Sequence, residues 1–155
     1  MSETARLADQ IRRAFEGAAW HGDSVLKLLA GVDAKTAAAH PIKKAHSIWE
    51  LILHVAAWDN AVSRRAGGTA VRLSAKKNFP PVTNTSEAAW RKAVDHLKHT
   101  HDELVKAVAA FPDSRLQEQV PGKTAKYHNF FYMFSGVVQH ELYHAGQIAL
   151  LKKFK

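Results

Sequence analysis

Apolar residues recur along this chain at alternating spacings of four and three, the period of helices buried on one side. In the first such stretch Leu7, Ile11, Ala14, Ala18, His21, Val25 and Leu28 share a face. The second begins at Ser47, where Ser47-Ile48-Trp49-Glu50 fits a capping box, and runs through Leu51, Val55, Trp58 and Val62 toward Gly67-Gly68. A third starts after Thr85-Ser86 with Glu87 in its first turn; its stripe is Trp90, Val94, Leu97, His101, Leu104, Val108 and Phe111, and Pro112 closes it. The fourth is predicted from Tyr127 to Phe154, with Phe130, Met133, Val137, His140, His144, Ile148 and Leu151 inward. No segment alternates with the period of a strand. Four one-sided helices predict an all-α fold, a four-helix bundle occupying residues 1–155 as one domain. The connection from Gly67 to Thr85, with Pro80-Pro81, is longer than a hairpin needs, so it is expected to cross an end of the bundle or frame a site entrance. The segment from Asp113 to Lys126 has the same character.

Composition narrows the classes of function. There is no cysteine, so disulfides, thiolate metal sites and cysteine nucleophiles are excluded, and any thiol chemistry must use a thiol that arrives with a ligand. No apolar run approaches membrane-spanning length, and Met1-Ser2-Glu3-Thr4-Ala5-Arg6 lacks the apolar centre of a secretion signal, so a soluble cytoplasmic protein with no membrane partner is expected. The net charge of +8 would suit an anionic partner. However, the basic residues are scattered in pairs such as Lys43-Lys44, Arg64-Arg65 and Lys152-Lys153. A solvated basic surface accounts for them without a dedicated nucleic-acid site.

Histidine is the informative residue type. Of ten, His21, His101, His140 and His144 fall on the apolar stripes, and His54 borders the second stripe beside Leu51 and Trp58. An unpaired imidazole buried in an apolar interior costs roughly 1–3 kcal/mol, a cost that a shared metal or polar pocket removes for several at once. At about 1.5 Å of rise per residue, His54 lies roughly 10 Å into its helix and His140 roughly 18 Å into the fourth, depths compatible with one central site. Singly, His21 and His101 read as satisfied core or pocket residues. His40, His46, His96, His99 and His128 read as surface or loop positions, and Trp20, Trp49 and Trp90 as packing residues.

His140 and His144 differ from the others because four-residue spacing on a helix projects both rings from one face, as a metal site requires. His140-Glu141-Leu142-Tyr143-His144 also matches the His-Glu-x-x-His pattern of zinc peptidases. Only eleven residues follow His144, Gln147 and Leu150 stand where the extended motif has a glycine and a third histidine, and no strand is present to bind a peptide, so a peptidase is not expected. His54, from another helix, is the better third ligand. Three neutral imidazoles leave a coordination position open for zinc, nickel, iron or cobalt, among which the sequence does not choose.

The runs Ala19-Trp20-His21-Gly22-Asp23-Ser24, His46 to Trp58, and His140-Glu141-Leu142-Tyr143-His144-Ala145-Gly146-Gln147-Ile148 resemble the DinB superfamily of metal-binding four-helix proteins. That family is unrelated to the DNA polymerase sharing the name. The resemblance covers nearly the whole chain and implies metal ligands at His54, His140 and His144. It also implies a metal-dependent transferase that presents a low-molecular-weight thiol cosubstrate to a small-molecule electrophile, and a homodimer. On that reading Glu141 is the candidate catalytic proton acceptor, with a structural hydrogen bond as the equal alternative, His21, Trp58 and His101 are substrate-pocket walls, and Gln147 orients a ligand. A metal-dependent hydrolase using bound water and Glu141, and a non-catalytic metal-binding stress protein, are the alternatives.

Overall fold

The computed structural model describes residues 1–154. Its α-helices are α1 (Glu3–Glu16), α2 (Val25–Leu29), α3 (Ala34–Ala38), α4 (Ile48–Ala66), α5 (Ala75–Asn78), α6 (Glu87–Ala109) and α7 (Phe130–Leu151), and no strand occurs among the described residues. The long helices α1, α4, α6 and α7 form the bundle. Helix α4 packs on α6 and α7, and α1 packs on the same two, so α4 lies diagonal to α1 and α6 diagonal to α7. No described helix is long and apolar enough to cross a membrane.

Side-chain caps set most helix starts. Ser47 accepts from the Glu50 amide while the Glu50 carboxylate accepts from the Ser47 amide, the reciprocal pair expected from the sequence. Ser86 caps α6 and Asn129 caps α7, which therefore begins three residues later than the apolar pattern suggests.

The first predicted helix is corrected. It ends at Glu16 instead of continuing to Leu28: Gly17 (φ 148°) and Ala18 (φ 60°) take backbone conformations no α-helix contains, and Ser24 then caps a separate α2. Val25 and Leu28 are buried as expected, but on that second short helix, where α2 packs on α1 and α7 and helps close one end of the bundle. His21 and Trp20 fall in the intervening turn and are exposed, Trp20 completely. Trp49 and Trp90 do pack, buried and in contact with each other.

The interior is two apolar clusters with a polar layer between them. One gathers Phe15, Ile48, Ile52, Val55, Leu97 and Ile148, the other Ile11, Val62, Leu104, Phe130 and Phe134. Between them, in sequence on each helix, stand Asp59 of α4, His101 of α6, and His140, Glu141 and His144 of α7. A polar layer at this depth demands partners.

Candidate metal centre

His54, His140 and His144 meet at the seam between α4 and α7. His140 Nε2 lies 3.0 Å from His54 Nε2 and 3.1 Å from His144 Nε2. The far nitrogens of two rings are already committed. His54 Nδ1 donates to the Asn78 carbonyl (2.7 Å), and His144 Nδ1 donates to Gln147 Oε1 (2.6 Å). Carbonyl oxygens only accept, so both rings carry their proton on Nδ1 and aim a bare Nε2 lone pair at His140. A single N–H on His140 Nε2 could satisfy at most one of these two contacts.

A cation resolves the arrangement. Metal–nitrogen bonds of about 2.0–2.1 Å place neighbouring ligand atoms about 2.9–3.4 Å apart, which matches the observed spacings. The environment also keeps the rings in their ligating, neutral form. Burial lowers the His140 pKa to about 3, helped by the nearby His144 and His54. Burial likewise lowers His54 and His144, against the opposing hydrogen bonds from their Nδ1 atoms. The residues present therefore fit a divalent metal, with Asn78 and Gln147 fixing ring orientation from behind.

The centre opens into a cavity of about 810 Å³. Trp58 forms one wall, held by a hydrogen bond from its indole to Asn78 Oδ1 (2.8 Å). Phe79 stacks on His54 at 4.1 Å and, from its other face, on His46 at 3.9 Å. The long connection after α4 thus frames the site through α5 and the residues that follow it. Lys123 and His128 from the second long connection, Arg65, and Tyr132 and Tyr143 of α7 also line the cavity. Sequence reasoning missed these. The Asn78 contribution is a backbone carbonyl with no side-chain signature, and His128, expected as a surface or loop residue, is a loop residue half-buried beside the cavity.

Three expected site residues stand elsewhere. His21 is exposed and does not line the cavity, because the helix that would have carried it inward ends at Glu16. His101 is fully buried on the bundle axis, its ring stacked on Phe15 at 3.9 Å, and is no pocket wall. Glu141 is also fully buried and turns toward His101, with Oε1 3.0 Å from His101 Nδ1, while Asp59 Oδ2 lies 3.6 Å from the same nitrogen. Burial raises the Glu141 pKa to about 7, opposed by His101, and raises Asp59 as well. Burial alone would lower His101, but the two facing carboxylates outweigh it and lift the imidazole to about 9. Glu141 does not border the cavity, so it is not placed to take a proton from a substrate there, and the hydrolase alternative loses its base.

The sequence model of the DinB superfamily matches residues 18–148, a span that contains all three converging histidines. No curated protein and no solved structure gives a significant match.

Proposed function

We propose that this chain, which belongs to the DinB superfamily, is a metal-dependent enzyme that activates a small thiol for transfer to an electrophile, with His54, His140 and His144 as the metal ligands. The observation that carries the reading is the convergence of three Nε2 atoms on one point at the floor of an open cavity, two of them with their protons fixed on the far nitrogen. A divalent ion bound there supplies Lewis acidity, which favours the deprotonated form of a thiol or water reaching its open side.

The chain's own residues do the rest. Asn78 and Gln147 hold His54 and His144 in the ligating tautomer. Trp58, Phe79, Met133 and Val137 give the cavity apolar walls that exclude water from a reacting sulfur. Lys123 and Arg65 bring positive charge to the same cavity, suited to a cosubstrate with carboxylates distant from its thiol. The absence of cysteine requires that thiol to come from outside.

The test has two stages. Metal content is measured for wild type, His54→Ala and His144→Ala; the variants should lose the ion, and full retention in both would sink the site. The metal-loaded wild type is then assayed with a panel of low-molecular-weight thiols and electrophiles. Turnover should require both metal and thiol, whereas metal-dependent turnover without thiol would replace transfer by hydrolysis.

A further inference from the structure

The proposed reaction leaves Asp59, His101 and Glu141 unused. Each comes from a different bundle helix, and their side chains are at most 1% exposed. Asp59 Oδ2, both ring nitrogens of His101 and both carboxylate oxygens of Glu141 have no hydrogen-bond partner among the described residues. That is five polar atoms in one enclosed spot, where nearly all such atoms in folded proteins are satisfied. The 3.0 Å approach of Glu141 Oε1 to His101 Nδ1 is short enough for a hydrogen bond but misaligned for one, and Asp59 Oδ2 at 3.6 Å is too far.

We propose that this cluster is a second divalent-cation site, with Asp59 Oδ2, His101 Nδ1 and Glu141 Oε1 as donors. One ligand atom from each of the three residues lies within 4.8 Å of the others. Metal–ligand bonds of about 2.0–2.2 Å put neighbouring donors about 2.9–3.6 Å apart, which brackets the 3.0 and 3.6 Å observed at Nδ1. Charge argues the same way: two carboxylates, a neutral imidazole and a divalent ion sum to zero, so the bundle axis would carry no net charge. Phe15 stacked on His101 fixes the plane of the ring that presents Nδ1. An oxygen-rich donor set selects a harder ion than three imidazoles do, so manganese(II) or iron(II) belongs here and zinc, nickel or cobalt at the histidine centre. Asp59 also borders the cavity, which places the second ion beneath its floor.

Full-length protein is incubated with excess manganese(II) and zinc(II), freed of unbound ions and measured for metal per chain, with circular dichroism to confirm folding. Wild type should hold two ions. The His54→Ala/His144→Ala double variant, whose second cluster is intact, should hold one, and Glu141→Gln should lose one relative to wild type. A folded double variant holding none, or a Glu141→Gln variant holding as many as wild type, overturns the proposal. A wild type with one ion, retained in the double variant and lost in Glu141→Gln, would instead keep this site and remove the three-histidine reading. Should both variants fail to fold, a wild type with two ions supports the proposal and one with a single ion overturns it.

Discussion

The acid stability of the metal-free protein tests the histidine centre without reference to any reaction. In the folded state burial and two neighbouring imidazoles hold His140 neutral down to about pH 3, against an ordinary 6.5. Between those values the unfolded chain binds a proton at this position that the folded chain refuses. Stability therefore rises with pH through the window: His140 contributes no penalty above about 6.5, an increasing one as the pH falls, and a constant one below about 3. The limiting slope is about 1.4 kcal/mol per pH unit, and because half of the unfolded chains are already protonated at pH 6.5, moving to pH 4.5 removes about 2 kcal/mol. That is a large share of the roughly 5–15 kcal/mol by which domains are stable.

The comparison is between chelator-treated wild type and chelator-treated His140→Leu, unfolded in urea at several pH values across this range. Carboxylates and the remaining histidines are common to both proteins and cancel in the difference. The wild type should lose about 2 kcal/mol more than the variant between pH 6.5 and 4.5. In thermal melts that corresponds to a widening gap of roughly 4–8 °C. Parallel loss in the two proteins would refute the reasoning, because it would mean that His140 titrates as freely in the fold as in the unfolded chain.

Three substitutions probe the scaffold around the site. Gln147→Ala removes the acceptor that fixes the His144 tautomer, and a chelator-competition titration should show metal affinity reduced roughly 10–100-fold with the fold intact. Ser47→Ala breaks the capping box at the start of α4 and should cost about 1 kcal/mol in urea melts, with metal content unchanged. Phe134→Ala empties a fully buried position in the apolar cluster away from the centre and should cost about 3–5 kcal/mol. Metal binding by the folded fraction of that variant should match wild type, and a specific loss would show that the two regions are coupled.

How far the fold was legible depended on whether its determinants are local. The start of α4 follows from Ser47 and Glu50, three residues apart, and its end from the glycine pair after Ala66. The first helix shows the converse failure: its four-three spacing continues in sequence across Gly17, and Val25 and Leu28 are buried, yet the chain turns and restarts in between. Periodicity records burial, and here two separate helices bury residues that happen to keep register. The histidine triad was legible because His140 and His144 declare their shared face by spacing, and His54 sits on the flank of its own stripe. Asp59 was available to the same logic, four residues after Val55 and three before Val62, but an acidic residue on an inner face attracts no attention without its partners. Asn78 and Phe79 were not legible at all, since the register of a loop against a helix is set only in the folded molecule.

The neighbours His140 and Glu141 show why the peptidase-like pattern misleads in this chain. In a peptidase of that type the glutamate shares the metal's solvent-filled cleft. Whether it does so depends on what the other helices place beside it, and nothing within five residues specifies that. Here α4 supplies His54 at the seam with α7, so the histidine pair faces an open cavity. Helix α6, diagonal to α7, supplies His101 on the bundle axis, and α1 supplies Phe15 to cover it, so Glu141 is drawn into a closed interior with Asp59. Adjacent residues on one helix thus serve two compartments of different polarity and access, one an open cavity and one enclosed between apolar clusters, with Asp59 at the boundary between them. A helical motif names the residues available for chemistry; the packing of the remaining helices decides which of them can meet a substrate.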